Sequence, residues 1–478
     1  MIGTVRSMPP PDSSTPAWQD RRAAYAGRPS YPWLVFAAAM VGLLSSNFLV
    51  SVLGAAVGGL ATEFGVGSDV MRLVVTGPNL GFAVLAVTSG KVADLFGRRQ
   101  TFLVALVGAG AFGALSAAAW SAETLIAFRT VSAVFGSACG PAGIAIVSTQ
   151  FEARQRIRVL GWWGLAMAGG PVLGIAIGGP VIDAWSWRWL FAAQVPFTIV
   201  ALVLAVVVLP DTPRRTGVTF DVAGTVTLAA SVTVLMTAVN RGPAWGWGSP
   251  SILALFAVAL VLLVAFVIIE YQVDDPLIPV AYFRQRNFAV PMVSVLFTNF
   301  SYMGAGFVLT PLFLDEVFGY STTRIGFVVT SRPLFFALAG PVVGYLGARA
   351  GERFMAVTGA LFVVASSIML ALIGATHTEV AVFVALGLAG FGLGLTMPAM
   401  TATVTNAVHE NDIATASGAQ QMMWQLGTAI GIEVLGSFQV SRSAVVSVPE
   451  SYAQAFWLAA VVAAVGAVLA ALVRRSAT

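Results

Sequence analysis

Three ionisable side chains stand well inside long apolar runs of this chain: Arg129, Arg332 and Glu433. A charge at membrane depth costs at least about 2.5–3.5 kcal/mol, so each one calls for a purpose. Glu433 is the only carboxylate far from the end of its run, and a carboxyl group in an apolar setting can load and release a proton near neutral pH. It lies roughly 80° round a helix from Gln425, off the face that Gln421, Gln425 and Thr428 share. Pairing with a buried arginine would explain it equally well. Arg129 sits about two turns from the outer end of its run and suits a proton relay, a substrate anchor or a lock on backbone carbonyls. Arg332 is deeper, followed by Pro333; substrate contact and pairing with a neighbouring acid are both open. Two polar pairs, Asn47 with Ser51 and Asn299 with Tyr302, fall at helical spacing and can line a cavity.

Other chemistry lacks its parts. The two histidines, His377 and His409, lie in predicted loops far apart, and Cys139 is the only cysteine. That leaves no metal cluster and no disulfide. No Ser/His/Asp set or phosphate-cradling loop is present, so an enzyme is not expected, nor is a cofactor or a nucleic-acid partner.

The elements that must position these residues are membrane helices. Of the 478 residues, 58% are hydrophobic and 10% charged, against about 25% charged in a soluble domain. Fourteen apolar spans follow Trp33, several near the roughly 20 residues that cross a bilayer. Residues 1–32 read as a disordered cytoplasmic tail. The rest divides into a six-helix bundle over 33–209, an inserted helix pair with its connectors over 210–287, and a second six-helix bundle over 288–473. With both termini inside, eighteen Lys and Arg fall in inner segments and five in outer ones, so the basic residues select that orientation. Trp185, Trp187, Trp189, Trp245 and Trp247 gather at predicted outer ends, where indoles favour the headgroup layer.

Between spans two and three runs Gly90-Lys91-Val92-Ala93-Asp94-Leu95-Phe96-Gly97-Arg98-Arg99. Gly90 and Gly97 free the backbone for a tight turn, and the basic residues hold the loop in the cytoplasm. Asp94 adds little to orientation and needs another reason. A degenerate copy, Gly344 to Arg353, joins spans ten and eleven, with Ala348 in place of the aspartate. An offset of eight helices fits two repeated halves of six with two helices inserted.

Gly90, Asp94, Gly97, Arg98 and Arg99 resemble the signature loop of the major facilitator superfamily. The resemblance implies an all-α integral membrane fold of two pseudo-symmetric six-helix bundles. It also implies that the aspartate and arginines latch a neighbouring helix end in one access state. Further motifs are similar to those of the fourteen-helix drug:proton antiporter branch. Arg129 with Gly136, Ala138, Gly140 and Pro141 looks like its helix-four motif, whose arginine takes part in proton coupling. Gly170, Pro171 and Gly174 resemble the antiporter motif of helix five, with Ile175 in place of its last glycine. Phe220 to Gly224 and Asp275 to Pro279 resemble the start of the inserted pair and the connector before helix nine.

There are departures. The helix-one region, Ser45 to Ser51, has no acid; Pro78 occupies the place of the helix-two tyrosine; Ser132 and Ala133 replace the glutamine and glycine after the helix-four arginine. With two in-span arginines against one glutamate, the cavity is expected to prefer neutral or anionic amphiphiles. The expectation is a monomeric secondary active transporter of the cell membrane, exporting a drug or metabolite against a proton gradient. A metabolite facilitator or importer, and a non-transporting receptor or scaffold on the same fold, remain as alternatives.

Overall fold

The computed structural model describes residues 28–47, 59–71, 73–212, 214–215, 217–373 and 378–474. Ser51, His377 and most of the N-terminal tail therefore lie outside the described residues. The long helices, in chain order, are α1 (Tyr31–Asn47), α2 (Leu73–Phe96), α3 (Arg98–Ala117), α4 (Ala122–Gln150), α5 (Ala153–Ala184), α6 (Arg188–Val208) and α7 (Val222–Trp245). They continue with α8 (Pro250–Gln272), α9 (Arg286–Glu316), α10 (Thr323–Ala350), α11 (Glu352–Ile373), α12 (Glu379–Ala407), α13 (Ile413–Ser443) and α14 (Val448–Ala471). Eleven of them are long and apolar enough to cross a membrane. The other three, α1, α5 and α13, complete the run of fourteen that the sequence predicts.

Three of these helices are interrupted. α4 breaks at Ser137 and Ala138, α10 at Thr330, and α9 passes through a π-turn at Gly304–Leu309. Such turns free carbonyls and recur at functional positions. α5 begins as early as Ala153, and Arg156 in its first turn is buried and donates to the Ser148 carbonyl.

Packing follows the repeat. α1, α3, α4 and α6 pack together with α2 and α5, while α9, α11, α12 and α14 pack together with α10 and α13. Two seams join the groups: α2 against α13, and α5 against α10. In lipid there is little hydrophobic drive between helices, so close approach rests on small residues. A Cβ added at Gly90 would lie 2.3 Å from the Ala414 carbonyl oxygen, and one at Gly418 would lie 2.2 Å from that of Ala86. The second seam is also close, though less so, with a Cβ at Gly340 falling 2.9 Å from the Gly161 carbonyl oxygen. Both loop copies turn on glycines in the left-handed region, Gly97 at φ 105° and Gly351 at φ 83°. α7 lies along the first seam, touching both α2 and α13, and α8 packs chiefly on α7. α8 presents Leu260, Val261 and Ile268 outward, each at least half exposed, as a helix facing lipid would.

Candidate functional site: a latched seam and the cavity beyond it

At the loop end of the first seam the Asp94 side chain is fully buried. One carboxylate oxygen accepts from Arg98 Nε at 3.0 Å and Nη2 at 2.9 Å; the other accepts from Thr415 N at 2.8 Å and Thr415 Oγ1 at 3.0 Å. Asp94 therefore both pairs within its own loop and caps the N-terminus of α13. That end exposes unpaired N–H groups and carries partial positive charge, so a carboxylate suits it. Arg98 also donates to the Glu410 carbonyl ahead of α13. Arg99 turns the other way, to Asp211 at 2.9 Å and the Val206 carbonyl at 2.8 Å at the end of α6.

The connectors of the inserted pair clamp the same loop. Lys91 Nζ donates to the Pro276 carbonyl at 2.5 Å, and the Arg215 amide donates to the Leu95 carbonyl at 2.9 Å. Arg215 pairs with Asp412 at 3.4 Å, and the Tyr282 hydroxyl donates to Asp412 at 2.7 Å. Burial and that carboxylate push the Tyr282 phenol up to about 12, so it remains a donor at physiological pH. In the degenerate copy Ala348 offers no carboxylate, and the N-terminus of α5 has no side-chain cap.

Away from the loop end, α2 and α13 part around a cavity of about 440 Å³. α2 contributes Val75, Thr76 and Asn79; α13 contributes Gln425, Thr428, Ala429, Ile432 and Glu433. The π-turn of α9 adds Phe307 and Val308, and α7 adds Met236 and Asn240. Glu433 is half-buried and has no hydrogen-bond or ion-pair partner among the described residues. It shares the cavity with Gln425 and Thr428, because the cavity takes in a broad arc of α13. The tightly packed stripe is elsewhere: Cβ atoms at Gly427 and Gly431 would lie 2.4 and 2.2 Å from the carbonyl oxygens of Leu296 and Phe300 on α9.

A smaller crevice of about 40 Å³ adjoins this cavity through Val75 and Asn79, which line both. Arg129 lines it, with Pro78, Ser132 and Ala133. Its guanidinium lies 5.5 Å from the Phe191 ring, its Nε has no partner, and no acid pairs with it among the described residues. Arg332 likewise has no acid. It donates to the Tyr302 carbonyl at 3.2 Å and sits 4.6 Å and 5.3 Å from the Tyr302 and Phe307 rings. Neither arginine is on the wall of the larger cavity, where Glu433 is the ionisable side chain. The charge preference expected from counting in-span residues therefore does not carry over to this cavity.

The other sequence candidates divide. Asn299 and Tyr302 are buried and do not line this cavity; Asn299 donates to the Trp424 carbonyl at 2.8 Å and Thr428 Oγ1 at 2.6 Å, tying α9 to α13. Gln421 is half-buried and off this wall. Asn47 ends α1, and Gly170, Pro171 and Gly174 lie on α5, which continues as helix through Pro171. Sequence reasoning passed over Thr76, Asn79, Asn240 and Phe307. Asn79 and Asn240 carried a usable signal, being amides within apolar runs like Asn47 and Asn299.

The sequence profile described as Major Facilitator Superfamily matches residues 34–432 and again 292–477. The chain is 25% identical to a Bacillus subtilis protein called multidrug transporter protein MdtP, over 87% of this chain and 77% of the relative. It is 30% identical to the puromycin resistance protein pur8 of Streptomyces alboniger, over 85% of this chain and 82% of the relative. Among solved structures, a proton:xylose symporter superposes with a TM-score of 0.65 at 13% identity, covering 92% of this chain and 95% of that one. The human organic anion transporter does so with a TM-score of 0.64 at 18% identity, covering 94% and 100%. At these identities the likeness is one of fold.

Proposed function

Because this chain belongs to the major facilitator superfamily, we propose that it is a proton-coupled exporter of small amphipathic compounds in the cell membrane. The observation that carries the reading is an unpaired carboxyl, Glu433, on the wall of a cavity sealed at its loop end. The arginine-rich loops support a cytoplasmic position for that sealed end, and on this reading the conformer is the outward-facing one. The relatives named as a multidrug transporter and a puromycin resistance protein support an exported cargo of this kind.

Transport then follows from two states. In the outward state, Asp94 and Arg98 hold α2 against α13. A proton arriving from outside is taken up by Glu433, removes the charge on the cavity wall and releases cargo that the carboxylate or its neighbouring amides held. Arg129, one residue layer away across Asn79 and Val75, supplies the positive field that favours loss of the proton once the cavity faces the cytoplasm. The halves rock about the seams, as repeated-half carriers do. The energy source is the proton gradient, with no cofactor, and one chain suffices.

The test uses inside-out vesicles, in which export reads as uptake. An acidic lumen should drive accumulation of ethidium or puromycin, and Glu433→Gln should abolish the drive while leaving exchange of bound compound. Uptake indifferent to the pH difference would leave a facilitator instead.

A further inference from the structure

α7 belongs to the pair of helices outside the two repeated bundles, yet it is placed where a passive insertion need not be. Over its inner half, Leu228 and Val232 pack with Ala83 and Val87 of α2 and with Ala416 and Ala419 of α13, closing the seam. One to two turns further on, α2 and α13 part, and Met236 and Asn240 of the same helix become wall of the 440 Å³ cavity. Asn240 is exposed and makes no hydrogen bond to the described residues, so its amide is free to meet a ligand. The same cavity is lined by Asn79, Gln425 and Glu433.

We infer that α7 is a working wall of the transport site, with Met236 and Asn240 as specificity-determining residues that touch the cargo. The inference rests on the export reading above and deepens it. Met236 supplies an adaptable apolar contact and Asn240 a neutral donor and acceptor. Together they select by shape and hydrogen bonding where Glu433 answers to charge.

The experiment measures saturation kinetics of ethidium and puromycin uptake in inside-out vesicles for Asn240→Ala, Met236→Ala and, as control, Val226→Ala on the outward face of the same helix. At least one cavity variant should change the ratio of the two KM values by about fivefold or more, the discrimination that a single lost contact commonly gives. Maximal rates should stay within about twofold, and Val226→Ala should match the parent. In a second measurement, Asn240→Cys should react with a membrane-impermeant maleimide from outside, and ethidium should slow the reaction. Background is low because Cys139 is buried. Unchanged KM ratios for both variants, or labelling that ethidium does not slow, overturns the inference. If the parent transports neither compound, it is the export reading that falls, and the labelling arm still judges α7 by binding.

Discussion

Replacing Asp94 tests the latch with a magnitude that the geometry sets. Its pairing with Arg98 lies within one loop and travels with it, so that contact cancels between access states. What differs between states are its bonds across the seam, two short ones from Thr415 N at 2.8 Å and Thr415 Oγ1 at 3.0 Å and a longer one from Ala414 N at 3.4 Å. Each of the two short ones is a hydrogen bond to a charged group, worth about 1.5–3 kcal/mol. Taking the lower value for both, Asp94→Ala should weaken the loop-closed state by about 3 kcal/mol, a shift of about 100-fold in the equilibrium. Asp94→Asn retains one neutral acceptor, and about half the effect should remain, or about tenfold. Salt should change this little, since the Asp94 side chain is fully buried. Spin labels on Phe96→Cys and His409→Cys, both exposed at the loop end, would read the distance distribution across the seam. The parent should show mainly the short distance and Asp94→Ala mainly the long one, with Asp94→Asn between. Populations that stay within about threefold of the parent in Asp94→Ala would refute the latch.

Gly418→Val should spread the same seam by another route, because even a Cβ there lies 2.2 Å from the Ala86 carbonyl oxygen; combined with Asp94→Ala it should add little further label separation. Arg129→Met should leave the protein at least as heat-stable as the parent in detergent, since burying an unpaired guanidinium costs several kcal/mol. The same variant should lose pH-driven uptake, and a fall of more than about 5 °C in unfolding temperature would contradict this account of its burial. Asn299→Ala should destabilise by about 1–2 kcal/mol without altering the ratio of ethidium to puromycin KM, because its amide bonds α13 and not the cavity.

Apolar runs and the loops between them disclosed the helices, since a segment crossing lipid must satisfy its backbone internally, as a helix does; eleven are apolar enough to be recognised one by one, and α1, α5 and α13 follow from the pattern. The resemblance of Gly90, Asp94, Gly97, Arg98 and Arg99 to the family's signature loop implied a latch on a neighbouring helix end; the residues by themselves said only that Asp94 needed a reason other than orientation. Sequence could not say which helix end that partner was, nor that Lys91 and Arg215 tie the same loop to the inserted pair. Nor could periodicity rank the polar residues within the spans. Asn299 and Asn240 read alike in the chain, yet one bonds two helices together and the other faces open space.

What the chain determined by itself is therefore what depends on local composition: span number, turn positions, repeat register and the presence of Arg129, Arg332 and Glu433 in apolar surroundings. Tertiary structure decided the rest, because a side chain's role depends on what lies across from it. α7 borders the cavity only because α2 and α13 part just where Met236 and Asn240 fall, and that divergence is a property of three helices together.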